Sequence, residues 1–484
     1  MRGLISAAGY LPYWRLQRSD VQAFLGSGGG RGTRAVASHD EDTTTMGVEA
    51  ARLALRGAPG AAVDGLWFAT TSPAYLDKTN ATAVVAALRL PAEVGAFDFG
   101  GGLRSGLGAL MAALRGTGTT LVVAADQRDG LPGGADESFG GDGAAALVVG
   151  DDGPGTPVVA ELRGVASASD EFVDRWRTPG ERRSKAWEER FAETRYLPLA
   201  RDAWARACKA AGVEAGDVTK VAVCSMHGRA AKAVAGKLGL AEGALADDLA
   251  ATVGQTGTAH PGLLLAAMLE RARPGDVLAV VNLADGADVL VLRATAAVSS
   301  WRPARPVADQ LAGGAVSYGR FLSWRQMLTP EPPRRPEPQR VSTPAAWRAE
   351  DWKFGFVGTR DRTSGAVHLP PSRVSMRGGA VDDMEALPMA DAVGTVVTYT
   401  VDRLAYSPSP PIVFAVVDFD GGGRFPVELT DVDAERIAIG DRVEMTFRRL
   451  FSADGIHDYF WKGRPLRSAT PEGDGTAARA ATAD

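Results

Sequence analysis

The sequence predicts a layered α/β domain built from two tandem, pseudo-twofold halves, followed by a small all-β barrel. Three observations lead there. One order of helices and strands occurs twice in the first 300 residues, the strands in both copies are unbroken runs of Val, Ala and Leu, and the character of the chain changes after Trp301. Strands apolar on both faces need cover on both faces, which a sheet between layers of amphipathic helices supplies.

Residues 1–160 form the first half. TTTMGVEAARLALR (43–56) has the pattern of an alanine-rich helix, and the apolar strand VDGLWFATTS (63–72) follows it. A second helix, ATAVVAALRL (81–90), precedes a glycine-rich turn and a third, LRSGLGALMAALRG (103–116). LVVAAD (121–126) and GDGAAALVVG (141–150) close the set. Residues 161–300 repeat it, with LARDAWARACKAAG (199–212), VTKVAVCSMHG (218–228) and AKAVAGKLGL (231–240), then TAHPGLLLAAMLERA (258–272), DVLAVVNLADG (276–286) and ADVLVLRAT (287–295). Six elements in one order argue for a real internal repeat, with a parallel sheet in each half. Residues 165–197, charged and rich in aromatics, interrupt the two halves. They read either as a solvated surface excursion or as a cap over a site between the halves, where Arg175, Arg177, Arg182, Arg183 and Lys185 would meet an anion.

Residues 301–350 read as a linker, because TPEPPRRPEPQRVSTP (329–344) is too rich in proline to pack as helix or strand. Beyond it, Val443, Met445 and Phe447 alternate with polar residues as in a half-buried strand, and Asp420-Gly421-Gly422-Gly423 between apolar runs reads as a hairpin turn. These are the signs of a small antiparallel barrel. The last residues, 468–484, have the composition of a disordered tail.

Composition narrows the function classes. A net charge of −5 gives no electrostatic reason to expect nucleic acid. No apolar run is long enough to span a bilayer, so a cytoplasmic protein without a membrane partner is expected. Cys208 and Cys224 are the only cysteines, which excludes a disulfide framework and an all-cysteine zinc site.

Chemistry is expected where strand C-termini meet helix N-termini. In FDFGGGLRSGLGAL (97–110) three glycines force a tight turn into a helix, a common seat for a nucleophile, yet Gly102, Leu103 and Arg104 offer none and Ser105 lies further into the helix. In VAVCSMHGR, His227 follows a buried strand and is either a satisfied structural residue or an acid/base; Cys224 reads as a small buried hydrophobe. In TVGQTGTAHPG, Gln255 and His260 occupy the turn that matches GGGLRSG. A glutamine amide there can donate to a thioester carbonyl, and His260 before Pro261 can equally be a helix-start residue.

Residues 1–296 resemble the 3-hydroxy-3-methylglutaryl-CoA synthase branch of the thiolase superfamily, close to ketoacyl synthase III, through DEDTTTMGVEAARLAL, FATTSPAYLDKTNAT, GDGAAALVVG and PGDVLAVVNLADGA. The resemblance implies a thiolase-like fold, a coenzyme A thioester as substrate, C–C bond chemistry beside the thioester carbonyl, and a homodimer. It also places the family's acyl-accepting cysteine at Leu103, its glutamate acid near Thr71 and its asparagine at Gln255, so that His227 alone is retained. Residues 352–465 resemble the zinc-ribbon and OB-fold domain that accompanies thiolase-like proteins, through WKFGFVGTR, HLPPSRV, TYTVDRLAYSPSPP, DVDAERIAIGDRVEMTF and DYFWKGRP. The ribbon, 351–380, carries Asp361, Ser364, Ser375 and Gly378 where that family has cysteines, so no metal is expected; the OB-fold spans 381–467.

Two functions follow as expectations. The first is a coenzyme A thioester enzyme acting without a covalent intermediate, with an acyl-CoA or acyl-carrier thioester as its partner. Its catalytic residues are His227, Gln255 and His260, and Thr71, Gly102, Leu103, Arg182 and Lys185 are placed around the substrate. The second is a non-catalytic scaffold for a thiolase-like partner subunit, with the barrel as docking surface. Recruitment of Cys224 as a nucleophile is a third possibility and would require its thiol to face the pocket. Convergence of His227, Gln255 and His260 on one cavity is the test the structure supplies.

Overall fold

Nine strands of the N-terminal body join in one sheet in the computed structural model, which describes residues 1–467; the tail expected at 468–484 lies outside the described residues. The first half contributes β1 (Arg2–Tyr10), α1 (Thr43–Arg56), β2 (Gly65–Thr70), α2 (Ala81–Leu88), β3 (Gly95–Gly100), α3 (Ser105–Arg115), β4 (Thr120–Asp126) and β5 (Gly143–Asp151). The second contributes β6 (Ala160–Ser169), α4 (Glu189–Ala211), β7 (Lys220–Ser225), α5 (Gly228–Ala235), α6 (His260–Leu269), β8 (Val277–Leu283) and β9 (Gly286–Ala294). The strand order β7-β8-β9-β6-β1-β5-β4-β2-β3 is symmetric about the β6–β1 junction. In the place matching β3, the second half has a single parallel bridge from Leu245 to Val221.

The expected parallel sheets are mixed. β2 is parallel to β3 and β4, and β7 is parallel to β8, whereas β1, β5, β6 and β9 run antiparallel to their neighbours. A strand buried on both faces has the same apolar run in either direction, so the sequence does not distinguish them.

Burial divides the body into layers. α3 and α6 share one buried cluster with strands of both halves, through Leu107, Leu110, Leu263 and Leu264. α4 covers the second half on its outer side with a row of alanines and Trp204, which lets the helix lie close on β6 and β9. α1 covers the first half, and its N-terminus is fixed by a reciprocal capping box between Asp42 and Thr45.

Two boundaries differ from the sequence reading. The insertion is confined to residues 170–188, because 165–169 complete β6 and 189–197 open α4. The linker is confined to about residues 329–342. Residues 301–327 pack on the body, with Val307, Val316 and Phe321 buried and the Gln310 amide bridging Gly9 O and Leu11 N at 2.9 and 3.0 Å.

Five C-terminal strands, β10 (Val393–Asp402), β11 (Ile412–Phe419), β12 (Arg424–Leu429), β13 (Arg442–Ala453) and β14 (Ile456–Pro465), close into a barrel. The three-stranded ribbon before it has no cysteine at its knuckles. Asp361 accepts there from the Thr363 N–H at 2.9 Å and from the Ser364 hydroxyl, with Ser375 adjoining, and these donors hold its carboxyl below the usual carboxylate range. The barrel rests on α1 of its own chain. Arg448 of β13, fully buried, meets Glu41 at 3.2 Å, Asp431 at 2.9 Å and Asp40 at 3.6 Å. Lys462 meets Asp40 at 3.0 Å and Glu428 at 2.5 Å, and Arg464 meets Glu49 at 3.2 Å. The acidic string before α1 is thus the seat of the barrel.

Candidate functional site

A cavity of about 260 Å³ opens where the parallel strands end. Thr71 follows β2, Gly101, Gly102 and Leu103 join β3 to α3, and Arg128 follows β4. From the second half come Met226 and His227 after β7, and Ala284 and Asp285 after β8. The insertion, the cap of the sequence reading, lines this cavity with Asp174, Arg175, Trp176, Arg177 and Ser184.

His227 is only 5% exposed. Its Nε2 stands 2.9 Å from Asp174 Oδ2. Tyr196 of α4 donates its hydroxyl to the same carboxylate oxygen at 2.9 Å, and the Asp285 N–H donates to Tyr196 at 3.2 Å. Burial opposes ionisation of Asp174, but the contacts from His227 and Tyr196 outweigh it and hold its carboxyl below the usual range. The cap thus supplies the group that fixes the imidazole, the arrangement needed to orient a general acid or base. Asp285 turns the chain from β8 to β9 at φ +46°, a conformation that non-glycine residues seldom adopt. Its carboxyl is held above the usual range by burial and by the nearby charge of Asp174.

Asp126, the last residue of β4, ties the loops together. One oxygen accepts from Thr71 N at 2.7 Å and from the hydroxyls of Thr71 and Thr70 at 2.9 and 3.2 Å; the other accepts from Thr258 N at 2.8 Å. Thr258 in turn accepts from Gly106 N at 2.7 Å, so the helix starts of α3 and α6 are joined. Gly257 has φ +60°, and a Cβ there would stand 2.1 Å from the Asp126 carboxylate. Only glycine lets that turn close on the acid.

The relatives of this chain agree with its geometry. The hydroxymethylglutaryl-CoA synthase of Pyrobaculum neutrophilum is 28% identical over 346 residues, 67% of this chain and 97% of that protein. That of Pyrococcus furiosus is 28% identical over 294 residues, 59% and 83% of the two chains. The chain is thus similar to hydroxymethylglutaryl-CoA synthases along most of their length. Among solved structures, a hydroxymethylglutaryl-CoA synthase complexed with CoA superposes with a TM-score of 0.58 at 17% identity, over 71% of this chain and 95% of the other. The 3-oxoacyl-(acyl carrier protein) synthase III, FabH, of Pseudomonas aeruginosa has a TM-score of 0.52 at 21% identity, over 61% and 98%. These likenesses carry the thiolase-like fold. Residues 388–448 match the family described as the C-terminal OB-fold domain of ChsH2.

The residues expected around the site divide into two groups. Thr71, Gly102, Leu103 and His227 line the cavity; Gln255, His260, Arg182 and Lys185 do not. Gln255 turns its amide oxygen back to Gly257 N at 2.7 Å. His260 faces Thr256, with Nδ1 3.2 Å from the hydroxyl, and burial pushes its pKa down to about 4. The expected convergence of the three residues is therefore limited to His227. Arg182 pairs with Asp129 at 3.2 Å and Lys185 with Glu181 at 2.9 Å, both on the surface. Of the five basic residues in the insertion, Arg175 and Arg177 reach the cavity, and Arg175 is bound through both terminal nitrogens to Asp136. Neither cysteine lines it; burial raises the Cys224 thiol, and that of Cys208 to about 11.

Asp174, Tyr196, Asp285, Asp126 and Arg128 were not singled out from the sequence. Asp126 and Arg128 had a signal, since both stand at the end of a strand in LVVAADQR. Asp174 had none, because a carboxylate in a charged insertion looks like any solvated acid.

The low pKa of His260 has a measurable consequence. The folded state keeps this ring neutral to about pH 4, whereas the unfolded chain takes up a proton near 6.5. Its contribution is fully present above pH 6.5 and is lost as the pH falls toward 4, a change of about 3 kcal/mol. Urea denaturation at pH 7 and pH 4.5 is expected to show the wild type losing stability on acidification and His260→Gln losing less.

Proposed function

We propose that this chain makes or breaks a C–C bond beside the carbonyl of a coenzyme A thioester, with His227 as acid/base and no acyl-enzyme. The observation that carries the proposal is the pairing of His227 with Asp174 beside a cavity where Leu103, not a thiol, occupies the turn between β3 and α3. Leucine offers no nucleophile, whereas an aldol or retro-aldol step requires only a base and stabilisation of the enolate. In the cleavage direction, neutral His227 takes the proton of a 3-hydroxyl group. The bond between C2 and C3 then breaks, the hydroxyl carbon becomes a carbonyl, and the electron pair passes to C2 as a thioester enolate. The proton held by His227 returns to C2. Condensation is the same path reversed. We assign the enolate oxygen to the N–H groups of Gly102 and Leu103, just before α3, rather than to Gln255, which does not line the cavity and whose amide oxygen accepts from Gly257.

The test is mass spectrometry of the purified protein with short 3-hydroxyacyl-CoA and acyl-CoA thioesters. Cleavage or condensation products without a protein-bound acyl group support the reading. A stable adduct on Cys224 would replace it with a covalent mechanism.

A second copy of the chain is the partner we assign to β3. It is the last strand of the sheet, and Phe97 on it is 59% exposed. The same unpaired edge favours the alternative reading, a non-catalytic subunit pairing with an active thiolase-like protein. Turnover by the chain alone excludes that alternative.

A further inference from the structure

We infer that the wall of the cavity around Thr71 binds a carboxylate, so that the carbonyl partner in the C–C step is a 2-oxo acid. The inference rests on the thioester reading above and adds the chemical class of the second substrate.

Arg128 carries it. The residue lines the cavity yet is only 5% exposed. Its guanidinium makes one hydrogen bond, from Nη1 to the Thr71 hydroxyl at 2.9 Å, and its buried Nε has no partner. The nearest carboxylate, Asp126, stands 3.7 Å from Nη1, and both of its oxygens are already taken by the threonine donors described above. Such a group is costly to bury without an acceptor and is the side chain best shaped to receive a carboxylate.

The surroundings add to the excess of positive charge. Arg177, from the cap, donates to the Thr71 carbonyl and pairs with no carboxylate among the described residues, while the charge of Arg175 is taken by Asp136. Asp126 therefore balances one of two guanidiniums, Arg128 and Arg177, and one positive charge is left over. A separate contact network on the same cavity holds His227, Asp174, Tyr196 and Asp285. The cavity is thus divided into a cationic part and an acid/base part, and about 260 Å³ leaves room for a small fragment.

A 2-oxo acid fits that division, with its carboxylate against Arg128 and its oxo carbon toward His227. In the condensation, a proton leaves C2 of the thioester for His227, C2 bonds to the oxo carbon, and the oxo oxygen takes the proton to become a hydroxyl. Nothing else is consumed. The nucleotide phosphates of coenzyme A are the other anions a guanidinium could meet, and the test separates the two.

The experiment is isothermal titration of the full chain with pyruvate, with its uncharged isostere pyruvamide, and with coenzyme A, in wild type and Arg128→Met. The wild type is expected to prefer pyruvate at least tenfold; Arg128→Met is expected to abolish that preference and leave coenzyme A affinity within twofold. Equal binding of pyruvate and pyruvamide by the wild type would overturn the inference, whether or not the variant folds. So would a variant that keeps the preference but loses coenzyme A, since Arg128 would then serve the phosphates. Failure of the wild type to bind coenzyme A would instead remove the thioester reading, while a pyruvate preference lost in the variant would still stand.

Discussion

Replacing His227 by alanine is expected to lower turnover by roughly 10²–10⁴-fold while leaving the dissociation constant of the thioester almost unchanged. The split follows from the geometry. The imidazole is one of several groups lining the cavity, so its removal takes little contact area from a bound thioester, but it removes the proposed acid/base. Asp174→Asn is expected to give a smaller loss and to shift the pH–rate profile. An amide keeps the shape beside Nε2 but no longer supports the charged imidazolium. A structural role alone would lower stability in both variants without moving the profile. Rates over pH 5–9, with binding measured separately, distinguish these outcomes.

Arg448→Ala is expected to be the most damaging substitution to stability, at about 3–5 kcal/mol. The guanidinium is fully buried among Asp40, Glu41 and Asp431, and its removal leaves three acids without their common counter-charge. Burial already holds the Glu41 carboxyl above the usual range, with Arg448 as the main opposing influence. Chemical denaturation should show the loss, and it should be partly recovered at low pH, where protonated acids no longer need a cation. Arg448→Met combined with neutral replacements of Asp40 and Glu41 is expected to cost less than Arg448→Ala alone. The penalty lies in the unpaired acids rather than in the missing contact.

Much of the fold was legible because the repeat is carried by whole elements. Apolar strands, alanine-rich helices and glycine turns recur in one order, and period alone identifies them. Strand direction was not legible, since β5 and β9 are buried on both faces and look the same in either orientation. Nor was the packing of residues 301–327, whose few apolar side chains are scattered along a segment that turns proline-rich soon afterwards. In the candidate site, His227 and Leu103 were found by their position at a strand end or helix start. Gln255 and His260 occupy the corresponding turn, but their side chains fold back on the loop, and no sequence pattern fixes a rotamer. The partners of His227 come from the cap and from α4, at separations that only the folded chain closes.

The seat of the barrel also orders events in time. The Phe447 N–H that reaches Glu49 does so across 398 residues of chain. At ordinary rates of synthesis of about 5–20 residues per second, the acids before and within α1 emerge roughly 20–80 s ahead of the cations that cover them. Through that interval the N-terminal body must hold its outer helix with Asp40, Glu41 and Glu49 still in water. A nascent chain that stops short of β13 is left with a charged, half-covered face, which makes completion of the C-terminal barrel a natural checkpoint between a finished molecule and a substrate for proteolysis.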